Sequence, residues 1–385
     1  MVSAILGDTS VAPLVRVTLG GSVRDYGGAE LLAELEPAVP ATSTHPGATG
    51  RIEEECRTIR AAGYGPAVTE LIRLGLELKR RGHTMFVQGA AAGSALFHLV
   101  GLTPLDPLEH GLFTERFIDS RLERGRPPAS RAANALDYFF VRVSMRQADF
   151  LTLLRQRGYS FGVEADAIPA YPVRTITASK RADAGGGRSV QLAVEASSLA
   201  VLSNLAGHPD RDEVPDDIQT WHLLAAGDTD GIEPLESPVV QDALRSRKPR
   251  SLQSLADVLA VTRPGVAGEW EGVIDAKPVY QEHLMQLLHD RLGVGLRDAY
   301  DLVAGLGAPT GGGVVEIRER FFGIKPPEPL SPREWNRLWE QLVNECPLAV
   351  CKAHYLLTAY LCLRAAYVKA HHPEDFRAML ASVRA

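Results

Sequence analysis

The chain has no excess of positive charge. Its 41 Lys and Arg face 47 Asp and Glu, for a net charge of -6, so the broad basic surface of a stand-alone nucleic-acid binder is excluded, and any DNA contact must come from a local patch. Cysteine is scarce: Cys56, Cys346, Cys351 and Cys362 show none of the paired short spacings of a zinc site, and buried free thiols are expected. His354, His371 and His372 stand near three of these thiols, so a metal site there is the alternative. The N-terminus lacks a basic segment followed by an apolar core, so no signal peptide is expected. The longest apolar run, Tyr355 to Val368, contains Arg364 and falls short of the roughly 20 residues that span a membrane, so a cytoplasmic protein with no membrane partner is expected. Neither glycine-rich run, RADAGGGRS at 181–189 or Thr310 to Gly313, is followed by the GK[ST] of a phosphate loop. What is present is 45% apolar and 23% charged residues over 385 positions, enough for two or three structural lobes with a large buried core.

The most informative stretch is Met85 to Phe117, MFVQGAAAGSALFHLVGLTPLDPLEHGLFTERF. It reads as a strand, a small-residue loop from Gly89 to Gly93, and a helix opening at Ser94. That order places backbone N–H groups where phosphates bind, although a tight strand-to-helix turn has the same pattern. Two amphipathic helices precede it, RIEEECRTIRAAG and PAVTELIRLGLELKRRG. In the second, Val68, Leu71, Ile72 and Leu76 share one face, and Glu70, Arg73, Glu77 and Arg81 the other. Residues 1–50 read as short apolar segments, Ser3 to Leu6 and Val11 to Leu19, ending in a Pro, Thr and Gly-rich linker.

LDPLEHGLFTERF resembles the sequence after the GRGSAAGS loop in the bacterial replicative DNA polymerases, the DNA polymerase III α subunits. Further similar segments follow in that family's order: Leu235-Glu236-Ser237, Lys248-Pro249 with Leu255, Arg263-Pro264-Gly265, Val279 to Gln286 against VYQEQVMQ, and Lys352 to Phe376 against the KSH helix. The resemblance covers residues 51 to 385, interrupted in the middle. It implies an α+β fold with a polymerase-type, nucleotidyltransferase-like palm, a mixed sheet with helices, plus a mainly helical fingers lobe. The expected division is 1–50 extension and linker, 51–220 palm with a shortened or absent thumb, and 221–385 fingers. That family's phosphoesterase domain and its helix-hairpin-helix, clamp-binding and single-strand-binding parts are expected to have no counterpart in this sequence.

Position by position, the resemblance also implies losses. In the loop, Gln88 stands for the family's triphosphate-holding arginine and Ala90 for its first serine, leaving Gly89, Gly93 and Ser94 as a vestigial nucleotide-binding turn. Of the alternating metal acids in PDxDxDF, only Asp137 remains, between Ala135 and Phe139, as a vestigial catalytic residue. The third acid falls on Leu192, with Glu195 three residues out of place. Two-metal nucleotidyl transfer needs carboxylates around both ions, so no metal site and no cofactor are expected, and Mg²⁺ enters only if residual activity exists. The family's four fingers cations align with neutral residues across Asp298 to Gly307 and then Ala308 and Pro309. Lys248, Arg263, Lys352 and His354 remain as candidate DNA or nucleotide contacts, with Lys248 in a basic cluster of Arg245, Arg247 and Arg250 that a solvated helix end would equally explain.

Ser331 and Glu334 form a capping-box start, and Trp335, Leu338, Trp339, Leu342 and Val343 fall at the spacing of a core-facing stripe. The expected function is that of a catalytically inactive polymerase homologue, a structural or DNA-associated factor in replication or repair, with DNA and replication or repair proteins as partners. A residual metal-dependent nucleotidyl or phosphoryl transferase, rebuilt from Asp137, Glu195 or Glu236, and a protein-interaction scaffold without nucleic acid are the alternatives.

Overall fold

The computed structural model describes residues 3–4, 15–19, 22–26, 47–118, 139–162, 175–180, 190–195, 217–263, 280–307, 313–325 and 330–384. Within these, the chain is α+β. Strands β1 (Ser3–Ala4), β2 (Val15–Leu19) and β3 (Ser22–Tyr26) pair antiparallel in a small sheet. Helix α1 (Ala48–Ala61) begins inside the Pro, Thr and Gly-rich stretch read as linker, and α2 (Gly65–Arg80) carries Pro66 in its first turn, where a missing N–H costs nothing.

The main sheet has the order β4 (Met85–Val87), β5 (Phe139–Val143), β8 (Val190–Glu195), β7 (Thr175–Lys180) and β6 (Ser160–Gly162). It is mixed: β5 runs parallel to β8, and the other pairs are antiparallel. The interval in which the resemblance puts a long insertion contains helix α5 (Gln147–Gln156) and two strands of this sheet. Both the 181–189 loop and Asp137 lie outside the described residues.

One face of the sheet is packed by α1, α2, α3 (Ala95–Leu99), Phe117 of α4 (Thr114–Phe117) and α5. Val68, Leu71, Ile72 and Leu76 are all buried there, as their spacing predicts. The opposite face of α2 is pinned by Arg157, which bonds Glu70 at 3.0 Å and also Glu77. Phe97 stands edge-on to both Phe117 and Phe139, at 5.7 and 6.0 Å between ring centres.

The helical part forms two further cores. Helices α6 (Ile218–Ala226), α7 (Pro238–Arg247) and α8 (Leu252–Val261) surround α13 (Lys352–His371), while α9 (Gln281–Leu292), α10 (Leu296–Gly307), α11 (Gly313–Phe322) and α12 (Pro332–Glu345) make the other. Helix α14 (Pro373–Arg384) follows. Helix α13 is buried on all sides from Leu356 to Leu363, which is why that part of its sequence shows no polar stripe. It joins the two lobes, packing against α8, α6 and the small-residue turn that follows β4. The expected boundary at 220 falls inside α6, and the one at 50 inside α1.

The Ser331–Glu334 capping box forms as read. Leu338 and Leu342 are buried, and Trp335 and Trp339 pack half-buried on Phe321 and Phe322; Val343, expected in the core, is instead 38% exposed because α11 covers only the tryptophan side of the stripe. No described helix is long and apolar enough to cross a membrane.

Candidate functional site

Residues Gly89–Gly93 form a 3-10 turn between β4 and α3, with Gly89 at φ +67, a conformation glycine adopts without strain. The sheet holds its entrance: Gln88 N–H donates to the Phe140 carbonyl at 2.8 Å, and the Gln88 side chain is buried. The turn is not open to solvent on its far side. A Cβ on Gly93 would stand 3.4 Å from Leu112 and 3.5 Å from Ala353, so this glycine lets α13 lie against the turn.

Ser94, expected to help hold phosphate, is fully buried and turned inward. Its Oγ accepts from Phe97 N–H at 3.2 Å as the N-cap of α3 and donates to Glu55 Oε2 at 2.6 Å. Glu55, buried on α1, also accepts from Ala95 N–H at 3.1 Å and Leu96 N–H at 3.0 Å. The positive end of α3 is thus filled by a carboxylate of the same chain. Arg51 completes the arrangement, pairing with Glu55 at 3.2 Å and donating to the carbonyls of Gly93, at 2.8 Å, and Leu112. The sequence carries a signal for Glu55 that residue type alone does not give: it sits on the stripe Ile52, Cys56, Ile59, where an acid must find a partner when the helix packs.

On the sheet, Phe139 and Leu192 are register partners across the parallel β5–β8 pair. Both are fully buried in the apolar core. These are two of the positions at which the resemblance would place metal-binding acids. Glu236 is committed elsewhere, accepting from Gly231 N–H at 2.7 Å. Among the described residues, no three His, Cys, Asp or Glu side chains gather at metal-binding distance.

The fingers residues gather at a second corner, where α8 ends and α9 and α13 begin. Tyr280 and Val350 form a parallel bridge, with Gln281 N–H donating to the Val350 carbonyl at 2.9 Å. This brings Glu282, only 3% exposed, against the start of α13, where it accepts from Lys352 N–H at 3.0 and 3.2 Å. Cys351 at the N-cap offers no side-chain cap of its own, so a glutamate from a distant helix serves instead. Burial pushes the Glu282 carboxyl up from its ordinary range, against the opposing pull of Arg116, the Lys352 N–H and the Lys352 charge.

The Lys352 ammonium points away from Glu282 and donates to the His110 carbonyl at 2.7 Å; burial lowers its pKa. Burial likewise lowers His110 and His283, the latter aided by the Lys352 charge. Tyr280 donates to Asp257 at 2.7 Å, and its hydroxyl is held neutral by burial and that carboxylate. Arg263 donates to the Leu348 carbonyl and lies near Tyr355, with burial depressing its guanidinium. His354 stacks edge-on with Tyr355 at 5.2 Å.

Lys352, His354 and Arg263 therefore share one corner. Lys248 does not. It caps α7 at the opposite end of α8, a helix whose ten residues rise roughly 15 Å. Burial drives two of the free thiols, Cys346 and Cys362, up to about 12, as inert core groups.

Two family models match the chain. One, described as the bacterial DNA polymerase III alpha NTPase domain, covers residues 29–128; the other, the bacterial DNA polymerase III alpha subunit finger domain, covers residues 203–277. The DNA polymerase III subunit alpha of Thermus aquaticus is 29% identical over 207 residues, 45% of this chain and 17% of that protein. The corresponding protein of Thermotoga maritima is 21% identical over 398 aligned positions, 85% of this chain and 46% of that protein. An error-prone DNA polymerase of Alkalilimnicola ehrlichii is 25% identical over 178 residues, 42% of this chain and 16% of that protein. The chain spans less than half the length of each of these curated relatives.

Proposed function

We propose that this DNA polymerase III alpha-like chain is a catalytically inactive homologue of the polymerase, working in the cytoplasm as a structural or DNA-associated factor in DNA replication or repair. The observation that carries this reading is the Phe139–Leu192 pair. Two strand positions where the resemblance would place metal-binding acids hold fully buried apolar side chains, and an acid there would have to be desolvated in the packed core. The closed helix end at Ser94 supports the same conclusion, because Glu55 occupies the place an incoming phosphate would take. The loop residues Gln88, Gly89, Gly93 and Ser94 then serve as a structural turn, and Asp137 as a relic with no metal to hold.

Primer extension on a primed template with Mg²⁺ tests this directly. No incorporation is expected. Incorporation that Asp137→Ala abolishes would overturn the proposal in favour of a residual metal-dependent transferase.

The net charge of -6 favours a second reading, a protein scaffold that has given up nucleic acid. Retention on a DNA column at low ionic strength, released by salt, is expected for the DNA-associated factor and would exclude the scaffold.

A further inference from the structure

Large apolar side chains are seldom exposed in clusters without a use. Among the described residues six are exposed, and four of them stand on two neighbouring helices: Val314, Val315 and Phe322 on α11 and Val343 on α12. Val315 and Phe322, seven residues apart, share one face of α11 and are 63% and 37% exposed. Phe322 joins that face to α12, its ring centre 6.0 Å from that of Trp335 and 5.9 Å from that of Trp339. Both tryptophans are half-buried, and Val343, 38% exposed, extends their row by one further turn. Arg318 lies over the Phe322 ring at 5.2 Å and is itself exposed. An apolar seam thus runs along the α11–α12 pair on the side that faces solvent.

The seam suits another helix pair, and its charges suit a copy of itself. Trp335, Trp339 and Val343 recur every four residues, forming one of the ridges that interdigitate when helices pack. Beside this ridge runs a second row, Arg333 and Glu340, seven residues apart and both exposed, basic near the start of α12 and acidic toward its end. A second α12 laid antiparallel, with a two-fold axis between Trp335 and Trp339, sets Trp335 of each chain against Trp339 of the other. The same axis brings Arg333 of each chain to within one residue, about 1.5 Å of rise, of the level of Glu340 in the other. A two-fold axis makes every contact twice, so this one row supplies two ion pairs. The row is neutral as a whole, which lets two chains of net charge -6 approach there without like charges meeting.

We propose that the α11–α12 face is a homodimer interface, covered by the same face of a second copy of this chain across a two-fold axis. Helix α12 rises about 21 Å over its 14 residues, and two packed helices are about 20 Å across, so each copy offers roughly 400 Å². The total, about 800 Å², lies below the roughly 1,200 Å² at which stable complexes begin, so the dimer is a reversible one. Its formation needs neither catalysis nor DNA and is tested apart from both.

Sedimentation equilibrium of the full chain from about 1 to 200 µM is the test, and the wild type is expected to pass from monomer to dimer across that range. Val343→Glu, at an exposed position, should keep its Tm and weaken dimerisation at least about tenfold, because it sets a carboxylate into the apolar seam. Glu340→Arg and Arg333→Glu each place like charges opposite one another and should each weaken it about tenfold. Mixed in equal amounts, these two charge variants should dimerise with each other as the wild type does, since opposite charges again face across both flanks. A change of fold in either variant would not be rescued by mixing. A wild type that stays monomeric at the highest concentration overturns the proposal and leaves the face to a different partner. Dimerisation that neither Val343→Glu nor the charge reversals weaken overturns it by placing the contact on another surface, and weakening that mixing fails to reverse overturns the antiparallel pairing.

Discussion

Two buried glutamates do the same job on either side of the contact between Gly93 and Ala353. Glu55 caps α3 in the palm-like lobe, and Glu282 caps α13 in the fingers-like lobe, each from a helix distant in the chain. They differ in what balances their charge. Glu55 has Arg51 bonded directly on the same helix, and Ser94 donates a further hydrogen bond. Glu282 has Arg116 only as a neighbouring charge, and Lys352 turns its ammonium away to His110. The palm corner is closed and neutralised. The fingers corner keeps a buried carboxylate beside half-buried Lys352 and Arg263 and the more exposed His283.

The largest effect is expected at the buried Phe139–Leu192 pair. Phe139→Asp would bury a carboxylate with no partner and is expected to prevent folding, whereas Phe139→Ala should cost about 3–5 kcal/mol by urea denaturation. A loss under 1 kcal/mol in the alanine variant would mean that β5 presents this position to an open cleft.

Glu55→Ala comes next. It leaves Arg51 buried without its carboxylate and strips α3 of its cap, for about 3–5 kcal/mol of stability, while Glu55→Gln should retain part of it. A small effect would erase the contrast between the two corners.

The fingers corner is sharpened by pH. Because burial raises the Glu282 carboxyl in the folded state above its ordinary value, the folded chain binds more protons than the unfolded one in that window. Its contribution is fully present below the unfolded pKa and is lost as pH rises through the folded value. Stability from denaturant titrations at pH points from about 4 to 7 should therefore show a downward component that Glu282→Gln removes. An unchanged pH profile in the variant would show that Glu282 is as well balanced as Glu55. The smallest effect belongs to neither corner: Ser331→Ala removes one exposed capping box and should lower stability by about 1 kcal/mol, setting the scale of an ordinary cap.

Much of the fold can be read from residue order. The α2 stripe, the strand and turn from Met85 to Gly93, the Ser94 cap and the Ser331 capping box are local patterns, and each forms where the sequence puts it. Of the site, the sequence showed only how Gln88 and Leu192 depart from the arginine and the acid that the resemblance would place there; Glu55 is indistinguishable by type from Glu53 and Glu54 beside it. Only its position on the stripe of Ile52, Cys56 and Ile59 hints at burial, and the partner it finds lies some 40 residues away. Val343 fails for the converse reason: a stripe gives the direction of burial, and the width of the covering helix decides which members are covered.

The sequence by itself determined the helices, the small-residue turn and the likeness to DNA polymerase III alpha, because each depends on neighbours a few residues apart. Tertiary structure alone decided that Ser94 faces Glu55, that Glu282 reaches the start of α13, and that Lys248 stands a helix length from Arg263 in the left-handed region. Those outcomes depend on which buried charge finds which helix end. That choice is made by desolvation cost across the packed lobes, which no local pattern encodes.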